Sequence, residues 1–160
     1  MALRTIITQG DPVLGKVCRP VEKFDERLHI LLDDMKETLE VSNGVGLAAP
    51  QVGILRRVVL VMDAEENVIE LVNPVIIAAD GEQTGLEGCL SVPGKYGVVT
   101  RPMYVTVRAQ DRNGEFFEVS GEELTARCFC HELDHLDGIL YTQVMERFLT
   151  EEELAYDEED

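Results

Sequence analysis

The sequence predicts an α+β fold, with mainly antiparallel sheets packed around a central helix that carries a His-Glu-x-x-His pattern. Three observations predict it. An amphipathic helical stripe comes early, β-rich runs fill the middle, and a second strong helix comes late. The chain has 160 residues, the length of one domain. Folding at this size hides roughly 70% of the unfolded chain's surface, enough for a real core.

The first helix is expected over residues 25 to 41. Asp25 can cap its start, and Leu28, Leu31, Leu32, Met35 and Leu39 fall on one stripe. His29 lies off that stripe and is expected at the surface. The Asn, Gly and Pro residues of SNGVGLAAPQVG then mark a loop. ILRRVVLVMD (54–63) and NVIELVNPVII (67–77) read as strands, the second bent or broken at Pro74. MYVTVRAQD (103–111) and EFFEVS (115–120) flank Arg112-Asn113-Gly114, a hairpin turn. Between these pairs, TGLEGCLSVPGKYGVVTRP is rich in Gly and Pro and is expected as loop or irregular strand. The second helix is expected over roughly residues 121 to 137. Ser120 followed by Glu123 gives a capping-box pattern, and Gly138 is a natural stop. TEEELA is expected to form a single turn or to fray.

Composition narrows the function. The 31 acidic and 14 basic residues leave a formal net charge of -17, which repels phosphate backbones and argues against DNA or RNA as the main partner. The charge serves solubility first. Part of it sits in TEEELAYDEED, which has seven acids and no base. No apolar run reaches 18 residues, so no membrane span is expected. The opening MALRTIITQGDPVLG lacks a secretory pattern, so a cytoplasmic location is expected. In that setting Cys18, Cys89, Cys128 and Cys130 point to metal binding or plain burial rather than to disulfides. No internal repeat is present.

The chemistry is concentrated in CHELDHLDGILY (130–141). On a helix, residues four apart share a face, so His131 and His135 can point their rings at one ion. Glu132 sits about 100° round from His131, placed to reach a water on that ion rather than to bind the ion itself. This separation of roles is what metal-assisted hydrolysis requires. A catalytic site needs a third protein ligand and an open position. Tyr141, where one metalloprotease pattern has its third His, is a poor ligand. Three other residues or groups remain open on spacing alone. Cys128 is on the ligand face, but its Cα lies roughly 10 Å from that of His135 along the helix axis. Glu151, Glu152 and Glu153 have a loose downstream spacing but sit in the acidic tail. Cys89 follows Gly88, which imposes no side-chain bulk and permits close approach.

Three segments together resemble the signature segments of peptide deformylases. GVGLAAPQ (44–51), EGCLS (87–91) and HELDHLDG (131–138) are similar to the first, second and third of these, in the family's order. DPVLGKVCRPVEKFD is similar to the family's N-terminal region, so the likeness covers most of residues 1 to 148. It implies a catalytic domain over 1–148 and a short acidic tail over 149–160. It also implies a metal-dependent hydrolase that removes the formyl group from the formyl-methionyl end of new polypeptides and releases formate. Cys89, His131 and His135 are then the ligands of one divalent ion. Iron(II) is favoured by the resemblance, with zinc, nickel or cobalt as substitutes. Glu132 handles the proton, and the Gln51 amide and Leu90 N–H stabilise the oxyanion. Gly44, Val45 and Gly46 would pair with the substrate backbone. Glu87 and Gly88 would border it, and Cys128 would line the pocket for the methionine side chain. Arg101 and Asp134 are read as a supporting pair. The expected partners are N-formyl-methionyl peptides and nascent chains, met as a monomer, with any ribosome contact made without a basic tail.

Two residues depart from the family pattern. Cys130 replaces the usual Gln before the first metal His and is expected in buried packing. Arg127 replaces an apolar residue and is expected to charge or narrow the pocket entrance.

Overall fold

The computed structural model describes residues 2–159, with side-chain surroundings defined up to residue 155. Helix α1 spans Glu26–Ser42 and α2 spans Leu124–Leu136. Between and after them run β1 (Gly46–Ala48), β2 (Val58–Met62), β3 (Val68–Asp80), β4 (Gln83–Cys89), β5 (Val92–Arg101), β6 (Tyr104–Gln110), β7 (Phe116–Glu122) and β8 (Arg147–Phe148). Helix α3 covers Glu151–Glu159. The strands form a five-stranded sheet ordered β1-β2-β3-β6-β7 and a three-stranded sheet ordered β4-β5-β8. Every strand pair in both sheets is antiparallel, as expected.

The five-stranded sheet is covered on both faces, and β2 shows how. Its run VVLV is buried throughout. Val59 and Val61 join Ala126, Phe129, Leu133 and Leu136 of α2, while Val58 and Leu60 join Leu28, Leu31, Met35 and Leu39 of α1. Alternation of side chains along the strand therefore serves two helices at once. Helix α2 also touches β5 of the second sheet, so it lies between the sheets. A third cluster, built on Leu14, Val92, Val99, Leu140 and Tyr141, backs the three-stranded sheet.

Helix α1 begins as expected, with the Asp25 carboxylate accepting from the Leu28 N–H at 3.2 Å. It ends at Asn43, which is left-handed at φ 56°. His29 is not a plain surface residue, because its Nε2 bonds the Arg112 carbonyl at 2.8 Å. Strand β3 is not broken at Pro74 but has the expected irregularity there. It shifts register between Val72 and Val75, with Asn73 at φ 51°, and runs on to Asp80. The Arg112-Asn113-Gly114 turn is present, with Asp111 Oδ1 accepting from the Asn113 and Glu115 N–H groups.

Two local expectations are corrected and a third is made definite. The segment after α1 is not all loop, because Gly46–Ala48 pairs with β2 as the sheet's edge strand. The Gly-rich stretch of 84–102, expected as loop or irregular strand, is the second of these: a hairpin of β4 and β5 whose ladder holds from Gln83↔Arg101 to Glu87↔Gly97 and shifts register before Cys89. Its glycines hide the strand alternation. The Ser120–Glu123 capping box does not form. Ser120 belongs to β7 and shares a 2.7 Å hydroxyl hydrogen bond with Thr106 on β6, and Glu123 precedes the helix at φ 54° without a side-chain cap. Cross-strand pairing holds the chain extended past the point where local chemistry would start a helix. TEEELA is also more than a single turn.

The far end of α2 is pinned by the N-terminal arm. Gly138 stops the helix at φ 76°, and a Cβ there would lie 2.6 Å from the Gly15 backbone. The Leu136 carbonyl accepts from the Cys18 N–H at 2.8 Å and from Arg57 Nη1 at 3.1 Å.

Candidate metal centre and active site

Strand β4 and helix α2 bring three ligands together. The donor atoms of Cys89, His131 and His135 all lie within 4.8 Å of one another, and Cys89 Sγ is 3.4 Å from His135 Nε2. Ligands on one tetrahedral ion stand roughly 3.5 Å apart, so the set fits a small divalent cation. Cys89 ends β4 beyond an irregularity in the β4–β5 register that falls between Glu87 and Cys89, the kind of break that re-aims a side chain. The cysteine is therefore delivered by a strand end, not by a loop. The helix supplies the histidines one turn apart, their ring centroids separated by 5.0 Å.

A buried ionic web orients the first ring. Glu87 Oε1 accepts from His131 Nδ1 at 2.8 Å and from Arg101 Nη2 at 3.0 Å. Glu87 Oε2 accepts from Arg101 Nε and from Arg127 Nη1, each at 2.8 Å. Arg101 also pairs with Asp134 at 2.8 Å, the supporting contact read from the sequence. Burial alone would raise the Glu87 pKa, but hydrogen bonds from Arg101 and His131 outweigh it and hold the carboxyl at about 2. With Nδ1–H given to this carboxylate, Nε2 of His131 is the nitrogen left to face the ligand cluster. Burial favours the neutral imidazole at both histidines. At His135 the neighbouring His131 adds to that downward shift, whereas hydrogen bonding to Cys89 and Glu87 turns the net shift of His131 upward.

Glu87 was expected either beside substrate or in a structural hydrogen-bonding role; it lines the cleft, and its carboxylate is committed to this web. Arg127 lines the cleft, in keeping with the expectation that it charges or narrows the pocket. It is not a free charge, because it is buried and donates to Glu87 Oε2 and the Val99 carbonyl.

Glu132 has the opposite surroundings. It is 4% exposed, and its Oε1 has no hydrogen-bond partner among the described residues. Burial pushes its pKa up to about 7. Edge strand β1 lies so close that a Cβ at Gly46 would stand 2.5 Å from Glu132 Oε2, so any side chain there would displace the carboxylate. His135 Nδ1 is likewise buried without a partner among the described residues.

The other expected residues surround a cleft of about 400 Å³. Gly44, Val45, Gly46, Gly88, Leu90 and Cys128 border it. Gln51, on a short 3₁₀ turn after β1, is 1% exposed. Its Oε1 accepts from the Ala48 N–H at 2.9 Å, while Nε2 donates to Ser91 Oγ at 3.0 Å and reaches Cys89 Sγ at 3.5 Å. Its amide is thus turned toward the cluster by its own backbone. Gly88 abuts the Tyr96 ring, where a Cβ would meet the ring at 2.8 Å. Burial raises the Cys128 pKa to about 12, which keeps this thiol neutral. Cys130 is buried in the core, as expected.

Rival ligands are engaged elsewhere. Tyr141 stacks on the His131 ring with centroids 6.0 Å apart and donates to the Lys95 carbonyl at 3.2 Å. Glu153 binds Arg147 at 2.8 Å. Sequence reasoning missed Arg127 as a partner of Glu87 and Ser91 as a partner of Gln51. A buried arginine one helical turn before His131 was the signal available for the first.

Comparison with known proteins places this geometry. The polypeptide deformylase family model matches residues 3–150. A peptide deformylase of Agathobacter rectalis is 61% identical over 91% of this chain and 92% of that protein. The crystal structure of a peptide deformylase from Legionella pneumophila superposes with TM-score 0.86 at 42% identity, covering 99% of this chain and 92% of that one. A Met-Ala-Ser-bound class I type b enzyme from Acinetobacter baumannii gives TM-score 0.85 at 34% identity, over 90% of this chain and 99% of that one. With its three signature segments gathered at one cleft, the chain belongs to the polypeptide deformylase family, metal-dependent enzymes that remove the formyl group from N-terminal methionine peptides.

Proposed function

We propose that Cys89, His131 and His135 hold the divalent metal of the deformylation reaction and that Glu132 carries its proton. The observation that carries this reading is the convergence of one sulfur and two imidazoles beside a buried carboxylate whose Oε1 has no partner among the described residues. Bound there, a divalent ion supplies Lewis acidity and lowers the pKa of water toward neutrality. The cysteine thiolate makes the donor set soft enough for iron(II), the native ion in this reading; zinc, nickel and cobalt suit the same donors.

Glu132 takes the proton released as water attacks the formyl carbon. It then returns that proton to the departing amine, so formate and a free N-terminus result. A carboxyl held near neutrality by burial suits both transfers. The Gln51 Nε2–H and the Leu90 N–H are the donors assigned to the developing oxyanion. Strands β1 and β4 are edge strands of their sheets, and Gly44, Val45, Gly46 and Gly88 border the cleft they flank. An extended peptide fits between such edges by main-chain pairing. Its methionine side chain lies toward Cys128 in this reading, because Cys128 borders the same cleft.

The catalytic unit is taken as residues 1–148, and segment 149–160 offers seven acids and no base toward RNA. The enzyme therefore acts on released or emerging chains without docking on ribosomal RNA through that segment. Salt-sensitive cosedimentation with ribosomes that disappears on deleting 151–160 would contradict this.

Metal analysis after anaerobic purification, paired with formate release from a formyl-methionyl peptide, tests the centre. Cys89→Ala is expected to lose the metal and Glu152→Ala to keep both metal and turnover. A Cys89→Ala protein with full metal content would overturn the assignment.

A further inference from the structure

A second, larger groove of about 810 Å³ lies at the other end of α1 from the cleft. The groove reaches along α1 to Leu31 and the cleft begins at Asn43, so about 18 Å of helix separates the two. Arg4, Arg19, Lys23, Arg27 and Arg56 line it, against only Glu22 and Asp25, with Arg4 already paired to Asp34. In a chain of net charge -17 this is a local reversal of sign. The Asp25 carboxylate is spent on capping α1. Among the described residues, Arg19, Lys23, Arg27 and Arg56 take part in no ion pair, whereas Arg57, Arg101, Arg112, Arg127 and Arg147 all do.

The fold also forces two of these charges together. Arg19 and Arg56 face each other across an isolated parallel bridge, fixed by Arg19 N–H to the Leu55 carbonyl at 3.1 Å and Arg57 N–H to the Arg19 carbonyl at 3.0 Å. Like charges directly opposed are destabilising. An anionic partner relieves that repulsion.

The lining selects the kind of anion. Val21, Leu28, Leu31 and Ile54 contribute aliphatic surface, and no aromatic residue lines the groove. Single-stranded nucleic acid needs aromatic platforms for its bases. An acidic peptide that also carries apolar side chains matches both the rim and the floor. This chain contains one, since residues 151–160 read EEELAYDEED.

We propose that this groove binds the acidic 151–160 segment of a second copy of the chain. The contact is head-to-tail and weak, so the expected monomer persists in dilute protein. Two electrostatic ranges oppose each other. Whole-molecule repulsion between copies acts at long range and is screened beyond about 8 Å at 0.15 M salt, while the groove contacts are shorter. Association therefore peaks at intermediate salt and falls at both about 0.01 M and about 1 M.

Sedimentation velocity over a concentration series at three salt levels tests the proposal, together with titration of a labelled 150–160 peptide onto the full chain. The expected result is reversible association that is lost in Arg19→Glu/Arg56→Glu and in the chain lacking 151–160, with formate release unchanged in both. The peptide should bind the unaltered chain and bind the double variant roughly tenfold more weakly or worse. Monodisperse protein at every concentration with no peptide binding overturns the proposal. So does a groove that binds a homopolymeric RNA in an Arg19- and Arg56-dependent way while ignoring the peptide.

Discussion

Glu87 and Glu132 are the same side chain, buried to the same degree beside the same histidine ring, yet their pKa values are driven in opposite directions. Glu87 is met by two guanidiniums and an imidazole N–H, and its pKa is driven down to about 2. Glu132 has an oxygen without a partner among the described residues, and its pKa rises to about 7. Burial penalises both ions equally in kind, so the partners decide. The satisfied carboxylate holds the site in shape. The unsatisfied one is left for chemistry.

The largest effect should come from removing the free carboxylate. Glu132→Gln is expected to lower kcat by about 10²- to 10⁴-fold with metal content unchanged. Parallel metal analysis and formate release check this, and activity near the parent value would dissolve the contrast. Glu87→Gln should show the reverse profile. It leaves Arg101 and Arg127 buried with half their partner, at about 3–5 kcal/mol of stability, and loosens the metal by about 10- to 100-fold. Denaturant titration and metal competition would measure the two losses.

Gln51→Ala should raise the barrier by about 3 kcal/mol through loss of one oxyanion donor, seen in kcat/KM, and also lower the melting temperature because the buried Ala48 N–H loses its acceptor. Gly46→Ala drives a methyl group against Glu132 Oε2. About 1–3 kcal/mol of overpacking is expected, with kcat falling because the carboxylate itself is displaced.

Asp34 gives the smallest effect. The Ala2 N–H, and then Arg4, hold it below the usual carboxylate range. A depressed folded-state pKa means stabilisation that is present above the unfolded value and is lost as pH falls through the folded one. Asp34→Asn should therefore be less stable than the parent at neutral pH and indistinguishable from it in strong acid, by thermal melts across pH.

The residues that converge at the cleft were legible in the sequence because each belongs to a short segment with its own chemistry. His131, Glu132 and His135 are fixed by helical spacing, and Asp25 and the α1 stripe are equally local. The surroundings that tune them were harder to read. Arg127 binds a carboxylate 40 positions earlier in the chain, and nothing near it in sequence announces a partner. The β4–β5 hairpin was hidden because Gly85, Gly88, Gly94 and Gly97 interrupt the alternation that marks a strand. Ser120 and Glu123 carried a sound local signal that a cross-strand hydroxyl pair overrode. Local chemistry was readable; long-range pairing was not.

The grip of the N-terminal arm on the end of α2 has a consequence for how the enzyme comes into being. The Cys18 N–H and the Leu136 carbonyl stand near opposite ends of the sequence. Contacts of such high sequence separation form late and slow folding. During synthesis the arm can pair early with residues 55–57, but its hold on the histidine helix forms only after Leu136 has been made.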